Sequence, residues 1–138
     1  MFRKILVAVD SSEQSNAALA IAIDLAQRYQ ATLCLLHAFA HVSDLLGTPQ
    51  YRHLLEARSV LGQQVLDSAR TQVGDAVPVD TQLIEGPAAP AILRVAVEDR
   101  CDMIVMGSRG HGQLAGLLLG SVSSAVAQRA ECPVLIVH

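Results

Sequence analysis

Short apolar runs recur along the chain, at residues 5–9, 32–39, 77–84, 103–106 and 133–137. Most are continuous and do not alternate with polar residues, which is the pattern of strands covered on both faces. Between them the apolar residues take a helical spacing. Ala18, Leu19, Ala22, Leu25 and Ala26 form one stripe within residues 15–29, and Leu54, Leu61, Val65, Ala69 and Val73 form another within 51–73. A short third helix is predicted over 89–98, with Pro87 and Pro90 near its start, where proline is tolerated. A fourth is expected within 114–130, interrupted near Gly116 or Gly120. The resulting order is β-α-β-α-β-α-β-α-β. Strict alternation of this kind implies a five-stranded parallel sheet with right-handed crossovers and helices on both faces, as one domain over residues 1–138. The loop at 40–50, with Gly47 and Pro49, follows the second strand and should lie at the edge of the sheet that holds any ligand.

Composition narrows the class. Of the 138 residues, 51% are apolar but only 3% are aromatic, with no Trp, so the core must be built from Val, Ile, Leu and Ala. The lack of aromatic stacking platforms argues against single-stranded nucleic acid as a ligand. A net charge of −3 without any basic run argues against binding a nucleic-acid backbone. The opening Met1-Phe2-Arg3-Lys4 leads into an apolar run too short for a signal-peptide core or a membrane span, so a cytoplasmic protein with no membrane partner is expected. Cys34, Cys101 and Cys132 are odd in number and widely spaced, which fits reduced thiols better than a disulfide framework.

Ligands of open α/β sheets sit beyond the carboxyl ends of the strands. That singles out Asp10 to Ser12, His37 to His41, Glu85 with Gly86, and the segment from Gly107 onward. The last is the most informative, because five glycines fall between residues 107 and 120, after a buried strand and before a helix. Glycine lets a ligand approach the backbone closely, and N–H groups exposed in a loop or at a helix N-terminus attract phosphate. Ser121, with Ser123 or Ser124, could add hydroxyl donors, and Arg109 a positive charge. The alternative is a loop whose glycines merely make turns. No lysine follows these glycines in a G-x-x-x-x-G-K-[ST] arrangement, which excludes a P-loop. Gly110-His111-Gly112-Gln113-Leu114-Ala115 fits G-x-G-x-x-[GA], but it follows the fourth strand, so the dinucleotide match is taken as accidental.

The spacing Gly107-x2-Gly110-x9-Gly120-Ser121 resembles the G-x2-G-x9-G-[ST] pattern of the ATP-binding universal stress proteins. The opening Lys4-Ile5-Leu6-Val7-Ala8-Val9-Asp10-Ser11-Ser12 resembles that family's first strand and turn, and Cys132-Pro133-Val134-Leu135-Ile136-Val137 its last strand. The resemblance covers the whole chain. It implies a Rossmann-like, adenine nucleotide α-hydrolase-like sheet in the order 3-2-1-4-5, with an adenine nucleotide at its carboxyl edge. Asp10 then matches a residue at the adenosine end and Ala38 one lining the adenine. Gly107, Gly110, Gly120 and Ser121 match the phosphate positions, with Val122 beside them. Ala8, Met106 and Arg109 complete the candidate set. The cofactor implied is ATP, with Mg or Mn carried on its phosphates. The partner implied is a second copy, joined through the strand from Pro133 to Val137 as a homodimer.

Several residues keep a second reading. Asp10 could serve the helix start, since Ser11-x-x-Gln14 reads as a capping box. His37 and His41 lack a third ligand and are read as structural or solvated, not as a metal pair. His111 could reach a phosphate or face solvent. No G-x-S-x-G elbow supports a hydrolase, and no carboxylate pair accompanies the glycine loop. The function expected is a nucleotide-dependent stress-response sensor or regulatory module. The alternatives are a weak ATPase or phosphotransferase and an ATP-free interaction module.

Overall fold

The structure is a computed structural model that describes residues 1–40, 48–109 and 119–138. Its elements run β1 (Lys4–Ala8), α1 (Glu13–Tyr29), β2 (Thr32–Phe39), α2 (Thr48–Val73), β3 (Val79–Glu85), α3 (Ala88–Glu98), β4 (Met103–Gly107), α4 (Ser121–Arg129) and β5 (Val134–Val137). All strand pairs are parallel and the sheet order is β3-β2-β1-β4-β5.

Continuous apolar strands arise because successive side chains enter two different cores. In β1, Ile5 and Val7 join Leu33 and Leu35 of β2 beneath α1 and α2, where Ala18, Leu19, Ala22 and Leu66 meet them. Leu6 points the other way and joins Cys34, Leu36, Ile104 and Met106 beneath α3 and α4, against Ile92, Val95 and Val126. The largest fully buried side chains are all Ile, Leu or Val. Each contributes about 1.5–3 kcal/mol by burial, so aliphatic packing on two faces suffices without Trp. The Asp102 carboxylate receives the N–H groups of Arg3 at 2.6 Å and Lys4 at 2.9 Å, tying the start of β1 to the start of β4. Those two donors hold its carboxyl below the usual carboxylate range.

The start of β3 differs from the sequence reading for an identifiable reason. β3 begins at Val79 instead of residue 77, because Pro78 has no N–H to give the ladder and only its carbonyl takes part, accepting from Leu33. α4 begins at Ser121, directly after the interruption expected at Gly120 within 114–130. Gly120 is extended (φ −74°, ψ 172°), and its N–H bonds back to the Ser108 carbonyl at 2.7 Å instead of entering a helix. The loop glycines Gly110, Gly112 and Gly116, together with His41 and His111, lie outside the described residues.

Candidate functional site

Strand order reverses between β1 and β4. The crossovers from β1 lead to β2 and β3 on one side, and the chain then returns to place β4 and β5 on the other. Loops leaving β1 and β4 therefore diverge, and a crevice opens at their carboxyl ends. A cleft of about 270 Å³ lies there, just under the span usual for small-molecule sites, about 300–1,000 Å³.

Its walls divide by chemistry. Ala8, Leu36, Ala38, Ala88, Ile92 and Met106 supply an apolar side. Asp10, Ser12, Ser15, Ser108, Arg109, Ser121 and Ser123 supply a polar one.

The β1–α1 turn is held by its own side chains. Asp10 Oδ1 accepts from Ser12 N at 2.9 Å and from Ser12 Oγ at 2.6 Å, Ser12 Oγ accepts from Ser15 N at 3.2 Å, and Ser15 Oγ accepts from Asp10 N at 3.0 Å. The helix cap is thus Ser12, one residue later than the Ser11–Gln14 capping box expected from sequence. Ser11 sits at φ 69°, a left-handed conformation, whereas a cap must be extended. Asp10 does help start the helix, and it also lines the cleft. His37, read from sequence as structural or solvated, lines the cleft and is bonded just beyond the end of β1. Its Nδ1 lies 2.7 Å from the Val9 carbonyl, an acceptor only, so Nδ1–H is the donor.

On the other side, α4 opens at Gly120 with no side chain of the described residues capping its first turn. A helix start of this kind presents backbone N–H groups and the positive end of the helix dipole. Arg109 lies against it, and its Nε is buried without a hydrogen-bond partner among the described residues. A buried guanidinium N–H left unpaired is costly, and an anion is its natural complement. Gly107 serves a different purpose. A Cβ there would come within 2.7 Å of Gln14 Cβ and 2.9 Å of the Gln14 carbonyl carbon, so glycine lets α1 sit directly on the end of β4. A Cβ at Gly120 would stand 3.3 Å from the Ser108 carbonyl oxygen and 3.4 Å from Arg109 Cα, where a side chain would crowd the mouth of the loop.

Ala8, Asp10, Ala38, Met106, Gly107, Arg109, Gly120, Ser121 and Val122 all line this cleft. Gly110 lies outside the described residues. Sequence reasoning missed Val9, Ser15, Leu36, Ala88 and Ile92. Ile92 falls within the helix predicted over 89–98 and Ala88 just before it, and nothing in their spacing shows that the start of α3 leans over the carboxyl end of β1. Ser123, read from sequence as a candidate ligand donor, turns its hydroxyl inward to the Ser108 carbonyl at 2.6 Å.

A second depression of about 600 Å³ lies at the opposite edge, lined among others by Arg94, Arg100, Arg129 and Glu131. Its arginines are exposed and one faces Glu98 at 3.8 Å, so it lacks the buried, unpaired donor of the first cleft. Cys101 and Cys132 border it. Burial pushes the Cys101 thiol up to about 12 and raises that of Cys132 as well, so neither favours its thiolate. Among the described residues no group of three or more His, Cys, Asp or Glu could hold a metal ion, and no helix is long and apolar enough to cross a membrane.

A doubly wound parallel sheet with a cleft at its switch point, mainly apolar and polar at one side, defines the class. The universal stress protein family matches the chain over residues 1–138. A universal stress protein of Thermus aquaticus, described as lying in the QAH/OAS sulfhydrylase 3′ region, is 41% identical over 139 residues, covering 100% of both chains. Among solved structures, UspA from Lactobacillus plantarum superposes with a TM-score of 0.89 at 27% identity, over 99% of this chain and 98% of that one. A universal stress protein solved in complex with cAMP gives 0.73 at 27% identity, over 99% and 97%. The chain belongs to the universal stress protein family.

Proposed function

We propose that this chain binds an adenine nucleotide, ATP foremost, in the cleft between β1 and β4, and acts as a nucleotide-dependent regulatory module of the stress response. The observation that carries the reading is the division of the cleft. Its apolar side at Ala38, Ala88, Ile92 and Met106 suits a purine. Its polar side ends at a helix start and a buried Arg109 Nε that, among the described residues, have neither a side-chain cap nor a partner, which suits phosphate. In that pose Asp10 meets the adenosine end, Ala8 flanks it, and Gly107, Arg109, Gly110, Gly120, Ser121 and Val122 surround the phosphates. A divalent ion, Mg or Mn, would ride on the phosphates and water, as magnesium commonly does. The homodimer through β5 belongs to the same reading, and so does a cytoplasmic setting.

The test is titration calorimetry of the purified chain with ATP, AMP, cAMP and adenosine, alongside mass spectrometry of any nucleotide that copurifies. ATP binding saturating at one site per chain supports the reading. A chain freed of bound nucleotide that binds none of the four overturns it. The relative in complex with cAMP favours a second reading, a cyclic-nucleotide receptor. Tighter binding of cAMP than of ATP would select it.

A further inference from the structure

Ser108 is 1% exposed, and both of its backbone groups are engaged. Its N–H donates to the Val137 carbonyl of β5 at 2.7 Å. Its carbonyl accepts the Gly120 N–H at 2.7 Å and the Ser123 hydroxyl at 2.6 Å. Gly120 and Ser123 belong to the far end of the glycine loop and the first turn of α4. One carbonyl therefore gathers both ends of the loop, and its two lone pairs are filled.

The Ser123 hydroxyl has a single proton. Its other neighbour, the Gly120 carbonyl at 3.2 Å, already accepts the helical N–H of Ser124 at 3.0 Å. The short contact to Ser108 is therefore the one the proton occupies. Ser123 is 2% exposed, and a buried hydroxyl is placed at a cost unless it is bonded. The peptide joining Ser108 to Arg109 is planar and trans. With its carbonyl drawn toward α4, the Arg109 N–H on its opposite edge must point away from α4. The bond thus sets the rotation of the peptide that leads into Arg109, whose Nε has no partner among the described residues.

We propose that Ser123 is a positioning residue for the anion end of the cleft: its hydroxyl locks the Ser108–Arg109 peptide and so fixes where Arg109 and the start of α4 meet a ligand phosphate, without itself touching the ligand. The inference rests on the nucleotide reading above and specifies how that site is held.

The test compares the wild-type chain with Ser123→Ala, titrating each with ATP and with adenosine and recording a melting curve. Ser123→Ala should weaken ATP about tenfold, the equivalent of one lost buried hydrogen bond, while adenosine affinity changes less than about twofold. A merely structural serine would lower the melting temperature and leave the ATP-to-adenosine ratio where it was, and that result overturns the proposal. Ser123→Thr, which keeps the hydroxyl, should restore the ratio; a Thr variant that binds ATP like the Ala variant counts against the lock. If neither variant folds, amide hydrogen exchange on the nucleotide-free wild type decides. A protected Gly120 N–H supports a lock formed before ligand arrives, and one exchanging at the open-chain rate overturns it. A wild type that binds neither ATP nor adenosine overturns the nucleotide reading itself, whereas normal wild-type binding with an unchanged ratio in Ser123→Ala overturns only the role of Ser123.

Discussion

Two glycines of one motif have different physical duties, and substitution separates them. At Gly107 the obstacle is the Gln14 backbone and Cβ on α1. Gly107→Ala should therefore destabilise the fold by about 1–3 kcal/mol through overpacking, seen as a lower urea midpoint. At Gly120 the nearest atoms belong to Ser108 and Arg109 at the mouth of the cleft. Gly120→Val should weaken ATP more than it lowers stability, and calorimetry on the folded variant checks this. Asp10 combines two roles. Its carboxylate holds Ser12 and so the start of α1, and it lines the cleft. Asp10→Ala should cost about 1 kcal/mol of stability and weaken ATP and adenosine alike; retained affinity alongside the stability loss would leave Asp10 as a cap only. The buried thiols give a pH signature. Burial raises Cys34 to about 11 and Cys101 to about 12, from 9.0. Their folded-state values exceed the unfolded one, so the stability they contribute is complete below pH 9 and is lost as pH rises through 11 and 12. Urea midpoints measured from pH 8 to 11 should fall more steeply for the wild type than for the Cys34→Ala, Cys101→Ala double variant.

At the scale of elements, β5 is the exposed edge of the sheet, paired only with β4 among the described residues. Its side chains are not free. Leu135 packs toward the α1 core and Ile136 toward the α3 core. What the edge offers is backbone. The carbonyls of Pro133 and Val137 accept from Ile104 and Ser108 of the β4 side, and parallel strands alternate the direction of their polar groups. The N–H and C=O of Val134 and Ile136 consequently face outward. A run of Val-Leu-Ile-Val with no charge in it is poorly protected as an edge, and a two-fold partner would close it with an antiparallel copy. Light scattering at micromolar concentration should give twice the chain mass. Ile136→Pro removes an outward donor and leaves the β4 ladder its bonds, so it should yield a folded monomer. A wild-type monomer, or a dimer that survives this change, would refute the interface.

Across the whole molecule, the cleft has backbone and guanidinium N–H donors but, among the described residues that line it, no second carboxylate beside Asp10. Phosphoryl transfer needs metal ligands and a positioned base or water as well as charge stabilisation. Hydrolysis by the highly purified chain should therefore run well below about 1 per second, the lower end of ordinary enzyme turnover. A faster rate that copurifies with the protein through successive columns, and disappears in Asp10→Ala, would make it an enzyme. The two-core architecture also explains the length of the apolar runs. Helices cover both faces, so a strand such as β1 has no polar side to show.

The sequence by itself determined the order of elements, the parallel pairing and the edge of the sheet at which ligands gather. Each follows from local periodicity and from the handedness of crossovers, which a run of residues carries without knowledge of its neighbours. The glycine spacing likewise marked Gly107, Gly120 and Ser121 as belonging to one site. Tertiary structure decided what each residue does there. That Gly107 makes room for Gln14, that Ser12 and not Ser11 caps α1, that Ala88 and Ile92 wall the cleft and that Ser123 holds the Ser108 carbonyl all depend on contacts between segments distant along the chain. Such contacts are set by how the helices dock on the twisted sheet, and no periodicity along the chain encodes them.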